Sequence, residues 1–184
     1  MAFKVRLFPG APDYETLHVA KLTCFPLETR DYRPYSQVRI CFAADALHLQ
    51  FLSFESKPLP NSRMEAILQF LDAGPPLRLS LQADGASMAS AGDGSEPLDG
   101  VLVHTFEGED LQGVYWGGNI IVSSHILGRC ASGFSARPGV TFRGNFYKTC
   151  ENSRRPHYGC FFPADFSLSR EDPRNFGEFV VIDY

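Results

Sequence analysis

At 184 residues, with 44% hydrophobic and 13% aromatic side chains, the chain can bury one substantial core and is too apolar for global disorder. Its formal charge of −4 and lack of a long basic run remove the electrostatic footprint of nucleic-acid binding. No apolar run approaches the ~18 residues of a membrane span, and Lys4 and Arg6 break up the apolar residues of the first segment, which therefore lacks a signal-peptide h-region. The expectation is a cytoplasmic protein with neither nucleic acid nor membrane as partner.

Thirteen prolines and sixteen glycines, spread along the chain, argue for many turns and few long helices. In chain order, residues 3–8 alternate weakly and predict an edge strand, and residues 16–22 predict a second strand. Residues 24–35, with Pro26 and Pro34, read as a connection. From 37 to 43 the pattern sharpens. Val38, Ile40 and Phe42 share a face, Ala44-Asp45 turns the chain, and Leu47, Leu49 and Phe51 return on one face with His48 and Gln50 opposite. That is a hairpin with a short connection. Residues 57–62 read as a loop. Residues 64–71 are apolar on both faces apart from Glu65 and Gln69; a central strand or a short helix fits, and the strand neighbours and Pro75-Pro76 favour the strand.

Leu77, Leu79 and Leu81 alternate with Arg78, Ser80 and Gln82, Asp84-Gly85 makes a turn, and residues 86–100 read as a hairpin arm followed by an exposed polar loop. Residues 101–106 and 113–123 predict two further strands, 124–127 a helical turn, Arg137-Pro138-Gly139 a break, and 176–182 a last strand. About nine or ten short strands with almost no helical period predict an all-β fold with little helix. A two-sheet antiparallel β-sandwich, jelly-roll or immunoglobulin-like, is the natural way to bury so many alternating faces. No boundary interrupts residues 1–184, which read as a single domain.

The densest cluster of aromatic, basic and amide side chains is 141–163, TFRGNFYKTCENSRRPHYGCFFP. Alternation turns Val140, Phe142, Gly144 and Phe146 one way and Thr141, Arg143, Asn145 and Tyr147 the other. The second face offers a guanidinium, a carboxamide and a phenol, groups that hydrogen-bond and stack on a polar organic ligand. The candidate ligand-binding residues are therefore Arg143, Asn145, Tyr147, Arg155, His157, Tyr158 and Phe161, with Glu55 as a further acceptor. The plainer reading is a solvated sheet face and a surface loop over a small core.

Signals for chemistry are weaker. No facing pair of carboxylates stands out for glycoside hydrolysis. Cys160 with His157 or His104 is the one nucleophile–base pairing suggested, without a third group to orient it. Five cysteines without a CxxC spacing argue against a zinc cage and read as reduced core thiols, although Cys150 and Cys160 flank the basic loop and could approach each other. Asp84, Asp93, Glu96 and Asp99 could hold a structural Ca²⁺, although their spacing fits no standard loop; no other cofactor is expected.

Several segments in order resemble family 9 carbohydrate-binding modules and the related DOMON-like sandwiches, over residues 37–184. They are ICFAADALHLQF (40–51), EAILQFLD (65–72), the 77–85 strand and turn, WGGNIIVSSHIL (116–127), NFYK (145–148), 158–163, and NFGEF (175–179). The resemblance implies a sandwich that binds a saccharide and does no chemistry. In that family two tryptophans clamp a sugar ring while carboxylates, amides and cations bond its hydroxyls. This chain departs from the pattern. Its one tryptophan, Trp116, lies in a segment that should be buried. Phe161 takes the approximate place of one clamp residue, Phe54 is nearest the other, and Leu68 stands where a glutamate is expected. The expected function is non-catalytic binding of a small saccharide or anionic sugar derivative. The alternative is a sandwich that has lost sugar binding and serves protein interaction.

Overall fold

Alternating residues become strands wherever the pattern is strong. The computed structural model describes every residue except Pro60, residues 93–95 and Ser153, and of Glu96 only the backbone. The described strands are β1 (Phe3–Phe8), β2 (Ala20–Lys21), β3 (Ser36–Ala43), β4 (Ala46–Phe54), β5 (Arg63–Gln69), β6 (Leu77–Gln82) and β7 (Ser87–Ala91). They continue with β8 (Glu96–Pro97), β9 (Leu102–Asp110), β10 (Gly113–Ser123), β11 (Thr141–Cys150), β12 (His157–Cys160) and β13 (Gly177–Ile182). One helix, α1 (Ser124–Cys130), follows β10, with the Ser123 hydroxyl accepting the Ile126 N–H as its N-cap. No described helix is long and apolar enough to cross a membrane.

The all-β expectation holds; the wholly antiparallel, two-sheet arrangement is not what the pairing shows. The strands join into one mixed sheet in the order β8-β7-β6-β5-β11-β13-β1-β3-β4-β10-β9, with β12 on β11 and β2 on β3. The link is β1, expected at an edge and found mid-sheet. It runs parallel to β13, with Phe3 opposite Phe179, and parallel to β3, with Arg6 opposite Cys41. Alternation specifies which face of a strand is buried but not which strand lies alongside it. The short apolar stretch of β1, with Val5 fully buried, gave no sign of two partners from opposite ends of the chain.

The sheet curls until its inner faces meet. Val38, Ile40, Leu47, Leu49 and Phe51 from one half pack with Leu68, Leu77, Leu79, Phe146 and Phe179 from the other in a single core. The rings of Phe42 and Phe142 bridge the halves at 6.1 Å between centroids. Phe179 lies at the centre of an aromatic cluster: it stacks on Phe142 at 5.0 Å and meets Phe3, Phe146 and Phe162 edge-on at 5.8, 5.4 and 5.5 Å.

Two local expectations change and one holds. Of residues 16–22 only Ala20–Lys21 joins a ladder, after a 3₁₀ turn at Tyr14–Thr16. The 64–71 segment is a strand, β5, in the sheet interior. Residues 157–160, expected in a loop, form β12, because β11 extends to Cys150 and offers them an edge.

Phe179→Ala removes the ring at the centre of this aromatic cluster and should cost about 3–5 kcal/mol of stability, measurable as a lower urea midpoint with unchanged m-value.

Candidate functional site

The predicted face of β11 exists, but it is covered. The stretch 161–176 folds back over it and takes up its polar groups one by one. The Asn145 carboxamide is fully buried and fully used. Its Nδ2 donates to the carbonyls of Phe162 (2.9 Å) and Asn175 (2.8 Å), and its Oδ1 accepts from the N–H groups of Phe146 and Phe162 (2.9 Å each). Tyr147, also fully buried, donates its hydroxyl to the Arg170 carbonyl at 3.1 Å, and burial raises its pKa. Arg143 is exposed and reaches the Pro173 carbonyl at 3.1 Å. Phe162 seals the cover by lying on Gly177, where a Cβ would sit 2.4 Å from its ring. Asn145 and Tyr147, expected to face a ligand, instead anchor a covering segment.

Phe161 and Glu55 are corrected in the same way. The Phe161 ring turns inward against Phe3 (5.2 Å), Phe146 (6.1 Å) and Phe162 (4.6 Å). Glu55 does not accept from outside. It is 6% exposed and belongs to a buried cluster with Lys148 and His157. Lys148 Nζ donates to Glu55 Oε2 (2.9 Å), to Ser62 Oγ and to His157 Nε2 (2.9 Å), which uses all three ammonium protons, and it lies 5.5 Å from the Trp116 ring centroid. Glu55 also accepts from Tyr32 Oη (3.2 Å), Ser62 Oγ (2.8 Å) and Trp116 Nε1 (3.1 Å). Trp116 is buried, as expected.

The protonation states follow from these partners. Burial alone would raise the Glu55 pKa, but the Lys148 ammonium and the hydroxyl donors hold it below the ordinary carboxylate value. His157 Nδ1 faces the Arg155 carbonyl at 3.1 Å and carries the ring proton, which leaves Nε2 to accept from Lys148. Burial and the Lys148 charge push the His157 pKa down to about 4, so the ring is neutral at pH 7. Arg155 donates to the Lys57 carbonyl at 2.7 Å and stacks on Tyr32 at 5.5 Å. The Cys160–His157 pairing fails because residues 157 and 160 point to opposite sides of β12, and burial raises the Cys160 thiol to about 12. Cys150 lies opposite His157 and Cys160 opposite Tyr147, which separates those two thiols as well.

Of the eight candidate residues, Tyr158 lines an open concavity. This hollow of about 470 Å³ lies beside the covered face, lined by Leu27, Arg78, Glu151, Tyr158, Phe166 and Arg170 with Leu168 and Ser169. Tyr158 and Phe166 meet edge-on at 5.6 Å. Beneath them the buried Glu65 carboxylate holds Arg170 Nε at 2.8 Å and Arg78 Nε at 3.4 Å. Arg78 also pairs with Glu171, and Glu151 with Arg63 at 3.0 Å. Among the described residues the buried Arg78 Nε makes no hydrogen bond. A second hollow of about 440 Å³ lies between β1, the β3–β4 turn and α1, and apart from Asp45, Ser124 and Ser135 its lining is apolar.

Sequence reasoning missed Arg78, Glu65, Glu151, Phe166 and Arg170, and passed over Lys148. Lys148 did carry a signal: alternation sets it on the apolar face with Phe142 and Phe146, where an ammonium needs a buried carboxylate. Phe166 and Arg170 carried none. For the calcium expectation, Asp93 and the Glu96 side chain lie outside the described residues, and among those described no group of three His, Cys, Asp or Glu is placed to hold a metal ion.

No protein-family model matches this chain, and no curated protein sequence matches it. Solved structures do. A candidate carbohydrate-binding protein from Bacteroides uniformis matches with a TM-score of 0.74 at 16% identity, covering 98% of this chain and 99% of its own. A family 9 carbohydrate-binding module from Caldicellulosiruptor kristjanssonii in complex with glucose matches at 0.68 and 12% identity, covering 98% and 96%. The module from that organism in complex with cellotriose matches at 0.66 and 11%, covering 98% and 94%. The fold of this chain is thus the fold of family 9 carbohydrate-binding modules, over nearly its whole length.

Two outcomes test the buried cluster. Glu55→Ala strands a buried ammonium and should cost about 3–5 kcal/mol, read from denaturant titration. The unfolded chain binds a proton at His157 from about pH 6.5 downward, and the folded protein only near pH 4. Stability should therefore fall progressively as pH drops through that window, with a shallower pH dependence of Tm in His157→Gln.

Proposed function

We propose that this chain is a non-catalytic saccharide-binding module whose ligand occupies the hollow between Tyr158, Phe166, Arg78 and Arg170. The observation that carries this reading is the hollow itself. It sets two aromatic rings, which can pack on the C–H face of a pyranose, beside arginine and carboxylate groups that can bond hydroxyls. The likeness in fold to modules solved with glucose and cellotriose supports it. The aromatic contact then comes from Tyr158 and Phe166, in place of the tryptophans this chain lacks.

Charge narrows the ligand. Arg63, Arg78 and Arg170 balance Glu65, Glu151 and Glu171 around the hollow, which leaves no surplus cation for a phosphate. A neutral sugar fits better than an anionic derivative, and the basic loop that suggested an anion is spent elsewhere: Arg155 is tied to Lys57 and Tyr32. Non-catalytic action is supported by the carboxylates. Each described carboxylate with a displaced pKa is displaced downward, and the general acid of a glycosidase needs the opposite. A cytoplasmic setting and the wider DOMON-like kinship are part of the same proposal.

Isothermal titration with glucose, cellotriose and glucose 6-phosphate tests this. The neutral sugars should bind more tightly than the phosphate. Tyr158→Ala should weaken binding about tenfold or more, ~1.4 kcal/mol per tenfold. Phe161→Ala, whose ring faces the core, should lower Tm and leave the affinity of the folded protein unchanged. No heat with any sugar from a folded protein would remove the saccharide reading in favour of an interaction module.

A further inference from the structure

Cys160 ends β12, and on the edge away from β11 the residue directly opposite it is Cys24, 136 positions earlier in the chain. The two exchange both backbone hydrogen bonds, Cys160 N to Cys24 O at 2.8 Å and Cys24 N to Cys160 O at 3.2 Å. Directly opposed antiparallel residues of this kind hold their Cα atoms about 5.5 Å apart with side chains on one face. That separation is inside the range of about 4.4–6.8 Å that a disulfide spans. The Cys160 thiol already leans across, with Sγ 3.5 Å from the Cys24 carbonyl. Cys160 is fully buried and Cys24 half-buried, so one thiol of the pair is within reach of a reagent.

We propose that Cys24 and Cys160 are a thiol modification site that closes to a disulfide by exchange with a small-molecule disulfide of the glutathione type. The Cys24 thiolate attacks one sulfur of the reagent. The reagent's S–S bond breaks, a mixed disulfide forms at Cys24, and the first reagent thiolate leaves. Cys160 then loses its proton to water and its sulfur attacks Cys24 Sγ, expelling the second reagent thiolate. Two protein thiols are oxidised and one reagent disulfide is reduced to two thiols. Burial raises the Cys160 pKa to about 12, which leaves initiation to the half-buried Cys24; the second step is carried by proximity, since Cys160 already lies directly opposite.

The bond would act on the neighbouring hollow. Leu27 lies three residues beyond Cys24 and Tyr158 two before Cys160, and both line that hollow. Closing the disulfide ties these two walls together; this consequence rests on the saccharide reading, whereas the thiol chemistry does not.

The test incubates the purified chain with oxidised glutathione, alkylates, digests and maps peptides by mass spectrometry. The expected product links the Cys24 peptide to the Cys160 peptide, is reversed by dithiothreitol, and raises Tm. Cys160→Ser should stop at a glutathione adduct on Cys24. Cys24→Ser, at the half-buried position, should give neither link nor Tm shift, and it keeps the test valid if Cys160→Ser folds poorly. A persistent adduct on Cys24 in the wild type, a link through Cys150, or unmodified thiols would overturn the proposal. Glucose titration of the two redox forms separates the second claim. An affinity that differs between forms supports the tied walls, and equal affinities with the link present overturn that consequence alone. No glucose binding in either form counts against the saccharide site and leaves the thiol pair standing.

Discussion

The structure depends on one buried ammonium. Lys148 sits inside the closing sheet with each of its three protons directed at a different acceptor, and those acceptors come from separate segments: Glu55 after β4, Ser62 before β5 and His157 on β12. Trp116 on β10 covers the cation and donates to the same carboxylate. A charge can remain in a dry interior only when it is paired and saturated, so the requirement of one side chain fixes the relative positions of both halves of the sheet. Such a cluster adds little net stability compared with a well-packed apolar core, but it tolerates few alternative arrangements.

The second constraint is the stretch after β12. It crosses the polar face of β11 and replaces water at Asn145 and Tyr147 with its own carbonyls and amides. The groups that looked most able to hold a ligand hold the protein's own backbone. The crossing also creates the hollow next to it, because Phe166 and Arg170 arrive on the covering segment and face Tyr158 and Arg78. Covering one surface and building another are the same event.

Fold likeness and function remain separate here. The chain matches family 9 modules over nearly its whole length, yet at 11–12% identity the match carries an architecture and not a set of contacts. The case for a saccharide rests on the residues around the hollow. Their balanced charges argue for a neutral ligand more strongly than the basic loop argued for an anionic one.

Much of the fold was legible because strand alternation is local. The Val38–Ile40–Phe42 and Leu47–Leu49–Phe51 faces, the Ala44-Asp45 turn, the Leu77–Leu79–Leu81 face and the burial of Trp116 follow from residues within a few positions of one another. The site was less legible. Tyr158 was found through its neighbours in the chain, but its partners Arg78, Phe166 and Arg170 meet it only after the chain has closed, and nothing local separates an asparagine bonding a ligand from one bonding a backbone carbonyl. The sequence by itself determined the β class, the hairpins and which side of most strands is apolar, since side-chain period depends on the backbone alone. Only the tertiary structure decided that β1 joins both halves in parallel, that Lys148 finds Glu55, that Cys24 faces Cys160, and which polar face stays open. Those outcomes depend on long-range partners, and a carboxylate, amide or thiol acquires its role from what is placed against it.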